Sequence, residues 1–280
     1  MVGEVFLANS SNNQEKFQYT ICRLSEGVSI RQIAKELKVH HTTVQYWIKN
    51  NFKTNKRSSV LTQEDVLSVC NKYSADYSYI LGSYLGDGHI SQMPKTYRLR
   101  VFNDERYPDI ISDQKRSLTR LFDGNKISEA PNPNTKCVVV SVYNNHLPLF
   151  FPQHGPNCKH TRDVSLKDWQ WDMVKKEPEC FIKGLIDSDG TYYTQTQKAP
   201  NGKEYIYQRY SFTNSSKNIL DMVEKTLSLL GIKYLIVKRK VIKNQATLTN
   251  INIGKQEDID KVNTLYDIAE SKLRIPSSKL

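Results

Sequence analysis

The sequence predicts an α+β protein in which a pseudo-twofold, duplicated α-β-β-α-β-β-α domain follows a small all-α domain. Two short stretches are near-copies of each other: ILGSYLGDG over Ile80–Gly88 and IKGLIDSDG over Ile182–Gly190. The same succession of helical and strand-like patterning follows each copy, which marks an internal duplication. Upstream of both, residues 15–49 show only helical patterning.

Residues 1–14 are a polar lead-in. A helix is expected from Glu15 to Leu24, closed by Glu26-Gly27. Ser29 is a suitable N-cap for a second helix carrying Ile30, Ile33, Ala34 and Leu37. After a turn at Lys38-Val39, a third helix runs from His41 to Lys49 with Val44, Trp47 and Ile48 on its apolar side. His41, Thr42, Thr43, Gln45 and Tyr46 lie off that stripe. Residues 30–50 resemble the helix-turn-helix of resolvases, transposases and bacterial regulators, with Lys38 where the turn often has glycine. The resemblance implies that the third helix enters a DNA major groove, where Gln reads adenine edges and Thr contacts bases or phosphates. Residues 1–52 form this domain. Residues 53–75 read as a basic linker (Lys53, Lys56, Arg57) with a short helix inside it over Leu61–Cys70.

The duplicated domain spans residues 76–280, with repeats at about 76–165 and 178–280. In the first repeat, strands are expected at His89–Gln92, Tyr97–Asn103, Lys126–Ala130 and Cys137–Tyr143, with a helix at Tyr107–Phe122. In the second, strands are expected at Thr191–Thr196, Tyr205–Thr213, Lys233–Lys240 and Ala246–Ile253, with helices at Ser216–Leu230 and Glu257–Glu270. The connector 152–163 (PQHGPNCKHTRD) is turn-rich and basic. Its His154, Cys158 and His160 match no standard zinc spacing, so it reads as a segment carrying basic groups toward DNA.

The repeated stretches carry the chemistry. Gly82 and Gly86 are four apart and share a helix face, and Gly184 and Ser188 repeat that placement. Small facing residues let two buried helices approach closely. Gly88 and Gly190 are expected to stop the helices in the left-handed conformation. Asp87 and Asp189 then sit at helix C-termini, where the dipole disfavours an acid by roughly 0.3–1 kcal/mol. Two such acids brought to about 4 Å repel by about 4 kcal/mol at an effective dielectric of 20. A divalent cation removes both conflicts, and hard oxygen ligands suit Mg²⁺ or Mn²⁺.

Both stretches resemble the LAGLIDADG motif of homing endonucleases. The second differs mainly at Lys183 and Ser188. The first is looser, with Ser83, Tyr84, Leu85 and Gly86 inside it. The resemblance covers roughly residues 76–270 and implies a two-motif monomer. It further implies that the motif helices pack at a pseudo-twofold interface and that Asp87 and Asp189 are the metal-binding, catalytic acids for cutting double-stranded DNA. It also implies sheets laid on DNA, making Arg98, Arg100, Tyr207, Arg209, Lys238 and Lys240 candidate contacts, and a basic residue near the metal, for which Lys238 and Lys240 are candidates.

Charge agrees with this. The 280 residues hold 40 Lys and Arg against 29 Asp and Glu, a net charge of +11, which suits a polyanionic partner. Five scattered cysteines without a CxxC pair fit a reducing compartment. With no signal-peptide pattern and no membrane-length apolar run, the expectation is a cytoplasmic, nucleoid-associated protein with no membrane partner. The leading function is a Mg-dependent DNA endonuclease. The alternative is a transcription regulator on a catalytically dormant scaffold of the same type. An RNA maturase is the third, disfavoured because A-form RNA offers a helix-turn-helix no readable major groove.

Overall fold

Two helices, one from each repeat, organise the larger part of the molecule. The computed structural model describes residues 13–49, 61–132, 135–239 and 247–274. It divides into one unit over residues 1–60 and another over 61–280.

The smaller unit is three helices: α1 (Asn13–Ser25), α2 (Ile30–Glu36) and α3 (His41–Lys49). Phe17, Ile33, Ala34, Leu37, Val44 and Trp47 form its core. Ser29 caps α2, its hydroxyl accepting from the Gln32 N–H at 3.3 Å. Arg23 reaches from α1 to Glu36 of α2 at 3.2 Å. The turn between α2 and α3 holds Lys38 at φ +53°, the left-handed conformation that usually takes glycine.

In the larger unit the first repeat runs α4 (Gln63–Lys72), α5 (Ser74–Asp87), β1 (Gly88–Gln92), β2 (Tyr97–Asp104), α6 (Pro108–Leu121), β3 (Ser128–Pro131), β4 (Cys137–Tyr143) and α7 (Leu147–Phe150). After α8 (Asp168–Lys176), the second repeat runs α9 (Pro178–Asp189), β5 (Gly190–Lys198), β6 (Glu204–Asn214), α10 (Lys217–Leu229), β7 (Leu235–Lys238), β8 (Thr249–Ile253) and α11 (Gln256–Leu273). The two antiparallel sheets have matching orders, β1-β2-β4-β3 and β5-β6-β8-β7. Their registers match as well: Gly88 faces Val101 and Gly190 faces Phe212. This is an α+β fold with a duplicated unit.

Strand alternation places Leu99, Val101, Val140 and Val142 of the first sheet, and Phe212, Ile251 and Ile253 of the second, in one continuous core. The intervening residues face away from it. Residues 61–75 depart from the linker expectation. Thr62 and Asp65 form a capping box at the start of α4, and Val66 and Cys70 are fully buried in the core of the larger unit. A short helix that buries only two apolar side chains looks like a tether in sequence. Residues 53–60 of the expected linker lie outside the described residues, as does Lys240.

Candidate functional site

The glycine spacing determines how α5 and α9 meet. A Cβ on Gly82 would collide with the Phe181 carbonyl and come within 2.9 Å of Leu185 N; one on Gly184 would collide with the Tyr79 carbonyl and come within 2.9 Å of Ser83 N. The two backbones therefore touch directly at these residues. One turn on, Gly86 packs against the Ser188 side chain, so a Cβ there has no room either. Ser188 donates to the Gly184 carbonyl at 2.7 Å, which folds its hydroxyl back along its own helix.

Gly88 and Gly190 play a different part from the one expected. Their φ values are −85° and −87°, which is extended backbone, not left-handed. Glycine is required there because each helix turns directly into a strand over its own last turn. A Cβ on Gly88 would strike the Tyr84 backbone, and one on Gly190 would lie 2.5 Å from the Ile186 carbonyl.

The close seam delivers Asp87 and Asp189 to one place. An added Cβ on Gly86 would lie 3.4 Å from Asp189 Oδ2. Asp87 keeps solvent contact, yet its carboxyl is pushed up to about 6, first by partial burial and then by the negative charge of Asp189, with Lys159 opposing. Asp189 is also raised by burial, against the pull of an Asn214 hydrogen bond and of Lys159. Asn214 Nδ2 donates to Asp189 Oδ2 at 2.7 Å. The arrangement is two crowded, partly desolvated carboxylates, a state that a cation relieves.

A cation is already built in beside them. Lys159, from the connector, donates Nζ to the carbonyls of Tyr84 (2.5 Å), Leu85 (2.9 Å) and Gly86 (2.6 Å). It thereby offsets the negative end of α5, the helix that carries Asp87. Burial brings its ammonium down to about 8, partly countered by the two carboxylates. Lys159, Arg162, His89, Asp189 and Asn214 line one open cleft, while Asp87, Asp187, Tyr192, Tyr210 and Tyr266 line another. Asp87 and Asp189 offer only oxygen donors, which fits a hard divalent ion.

Lys238 and Lys240 are the basic neighbours that the resemblance implies. Lys238 lies instead at the exposed end of β7 and lines neither cleft. Lys159 sits in a connector with no helix or strand periodicity, so only the basic content of residues 152–163 signalled it. His89 and Asn214 went unnoticed because nothing in their local sequence distinguishes them; the register that places them beside the acids is a tertiary property.

The other named residues are placed as follows. Arg98 and Arg100 lie on the face of the first sheet turned away from the core, with Ser141 and Ser91 accepting from them at 3.1 and 2.8 Å. Tyr207 and Arg209 lie on the corresponding face of the second sheet, with the guanidinium 4.8 Å from the ring. In the smaller unit Thr42, Gln45 and Tyr46 are exposed on α3, and His41 and Thr43 are half-buried. His154 points back to the Phe151 carbonyl at 3.2 Å. Glu177, Glu179 and Cys180 cluster, but Lys272 pairs with both carboxylates, so the group is an ordinary buried ion pair.

The second motif also carries a buried polar network. Lys183 pairs with Asp187 at 2.7 Å, and Asp187 accepts from Tyr79 (3.0 Å) and Tyr266 (2.8 Å). Tyr266 belongs to α11, so the network ties the last helix to both motif helices.

Residues 177–265 match the family model described as a LAGLIDADG-like domain. That match coincides with the second repeat. An uncharacterized protein of Methanocaldococcus jannaschii is 22% identical over 194 residues, covering 68% of each chain. Among solved structures, a variant of the homing endonuclease I-DmoI in complex with its target DNA and manganese is 18% identical with a TM-score of 0.47, over 70% of this chain and 95% of that one. The I-LtrWI LAGLIDADG homing endonuclease bound to target DNA is 11% identical with a TM-score of 0.45, over 70% and 84%.

Proposed function

We propose that this protein is a site-specific, metal-dependent DNA endonuclease of the homing type, acting as a monomer on double-stranded DNA. The observation that carries this is the meeting of Asp87 and Asp189, one from each repeat, at the end of a backbone-to-backbone helix seam. Two crowded, mutually repelling carboxylates oppose folding, and a shared cation gives them a use. A divalent ion held there, Mg²⁺ or Mn²⁺, would activate water and stabilise the leaving oxygen of a phosphodiester.

The chain's own residues supply the rest. Asn214 fixes the rotamer of Asp189. Lys159 holds the last turn of α5, and so the position of Asp87, and contributes positive charge next to where a phosphate enters. Arg162 extends that positive wall, and burial and the neighbouring Arg100, Lys159 and Arg162 charges hold His89 below the usual histidine range. The two sheets flank the acids with their polar faces and bind the duplex to either side. The smaller unit adds a second DNA contact through α3, with His41, Thr42, Thr43, Gln45 and Tyr46 at the groove. Joining two modest binders on one chain raises their effective concentration on a shared DNA. Among the described residues no helix is long and apolar enough to cross a membrane.

The test is incubation of the full chain with randomised double-stranded DNA, in Mg²⁺ and in EDTA, followed by sequencing of bound and cut molecules. Discrete Mg²⁺-dependent breaks inside an enriched site are expected. Enrichment without breaks would contradict the nuclease and leave a DNA-binding regulator.

A further inference from the structure

Each acid opens onto its own cleft, and the strand registers make the two clefts the same place in the two repeats. The Asp189 cleft is lined by Gly88, His89 and Ile90 of β1 and by Asn214 and Ser215, where β6 ends. The Asp87 cleft is lined by the matching residues: Gly190, Thr191 and Tyr192 of β5, and Asn103 and Asp104, where β2 ends. Gly88 faces Val101 and Gly190 faces Phe212, and Asn103 and Asn214 each lie two residues further along.

Equivalent positions differ in charge. Thr191 stands where the first repeat has His89, and Asp104 where the second has Ser215. Hydrogen bonds from Arg106 hold the Asp104 carboxyl down at about 2, so it is ionised, and Arg106 does not itself line the cleft. The strongest charges have no counterpart. Lys159 and Arg162 reach the Asp189 cleft from the connector. In the second repeat, β8 runs through Gly254 and Lys255 directly into α11. Among the described residues no Lys, Arg or His lines the Asp87 cleft; its walls are Asp104, Asp187 and tyrosine rings. Lys183, which pairs with Asp187, is buried behind that wall.

Hydrolysis makes this difference matter. Water adds to phosphorus, one P–O ester bond breaks, and the departing oxygen takes up the proton that the water loses. The five-coordinate phosphate in between carries more negative charge than the diester, so fixed positive groups beside it lower the barrier and fixed negative ones raise it. Cutting both strands puts one phosphate in each cleft. Resting on the nuclease reading above, we infer that the two clefts work unequally: the strand entering the Asp189 cleft, walled by Lys159 and Arg162, is cut first, and the strand entering the Asp87 cleft follows slowly from a nicked intermediate. The scaffold is duplicated, and its chemistry is ordered by a charge present on one flank only.

The experiment takes the site recovered from randomised DNA, labels each strand separately, and follows both cuts by the full chain in Mg²⁺ under single turnover. One strand is expected to be cut at least about tenfold faster than the other, with nicked duplex accumulating. Arg162→Gln is expected to slow the fast strand at least about tenfold and the slow strand by much less, so the bias shrinks. A second readout needs neither metal nor cutting. In EDTA, a neutral methylphosphonate at the fast strand's cleavage position should weaken wild-type binding by about threefold or more, and the same change on the slow strand should leave binding unchanged or tighten it. Equal rates on both strands, a bias that Arg162→Gln leaves intact, or equal losses from the two methylphosphonates would overturn the inference while the nuclease stands. If wild type cuts neither strand, the nuclease reading fails and takes this inference with it.

Discussion

The two repeats superpose in plan and diverge in what holds each acid. Asn103 and Asn214 occupy the same register position, two residues beyond the strand residue that faces the motif glycine. Asn214 hydrogen-bonds Asp189. Asn103 turns away and exchanges two hydrogen bonds with Gln114, at 2.8 and 3.0 Å. Asp87 depends instead on Lys159, which grips the carbonyls of its helix. A second difference lies inside the seam. Where the first motif has Leu81 and Leu85, the second has the buried pair Lys183 and Asp187. Duplication thus preserved the geometry of the acids and left each side free to acquire its own support.

The same substitution at equivalent positions separates the repeats most sharply. Lys183→Met strands a buried Asp187 and should cost about 3 kcal/mol or more in denaturant unfolding. Leu81→Met exchanges like for like and should cost less than about 1.5 kcal/mol. Equal costs would mean that the second motif's ion pair does not matter to the seam. The glycines should show the opposite behaviour. Gly82→Ala and Gly184→Ala both push a methyl into the partner helix's backbone, and each should lose about 1–3 kcal/mol. A tolerated alanine at either position would show that the helices can move apart.

Smaller effects bear on the acids. Asn214→Ala should weaken Mn²⁺ binding by about tenfold through loss of the orienting bond to Asp189. Asn103→Ala should leave Mn²⁺ affinity intact and lower stability by about 1 kcal/mol, because it orphans Gln114. The smallest effect concerns pH. Asp87 titrates at about 6 in the fold, above its ordinary value near 3.8. As pH rises between those values the unfolded chain gives up its proton first, so the metal-free fold loses stability there and does not regain it at higher pH. Asp87→Asn should therefore raise the thermal midpoint of metal-free protein above about pH 6 and have no effect below about pH 4. A midpoint shift that is the same at both pH values would contradict the raised titration of that carboxyl.

Much of this architecture was legible in the sequence, for identifiable reasons. Strand Cys137–Tyr143 matches its expected bounds because Val138, Val139, Val140 and Val142 sit between clear turn signals. The seam was legible because Gly82, Gly86, Gly184 and Ser188 fall on a helical period that only close packing explains. Sequence did not show that Gly88 and Gly190 are extended, since Asp-Gly after a helix more often signals a left-handed stop. Nor did it reveal Lys159, Asn214 or His89 beside the acids. Each arrives there through a connector path or a strand register, and neither leaves a local trace. The expected linker over 61–75 failed for a related reason: two buried side chains per helix are too few to show as periodicity.

If Asp87 and Asp189, contributed by equivalent helices, form one cation site, both carboxylates must contribute to its affinity. Calorimetric titration with Mn²⁺ of wild type, Asp87→Asn and Asp189→Asn tests it most directly. Saturable binding by wild type, weakened at least about tenfold by either substitution alone, is the expected result. Unchanged affinity in either variant would show that the two acids do not share an ion, and the claim would fall.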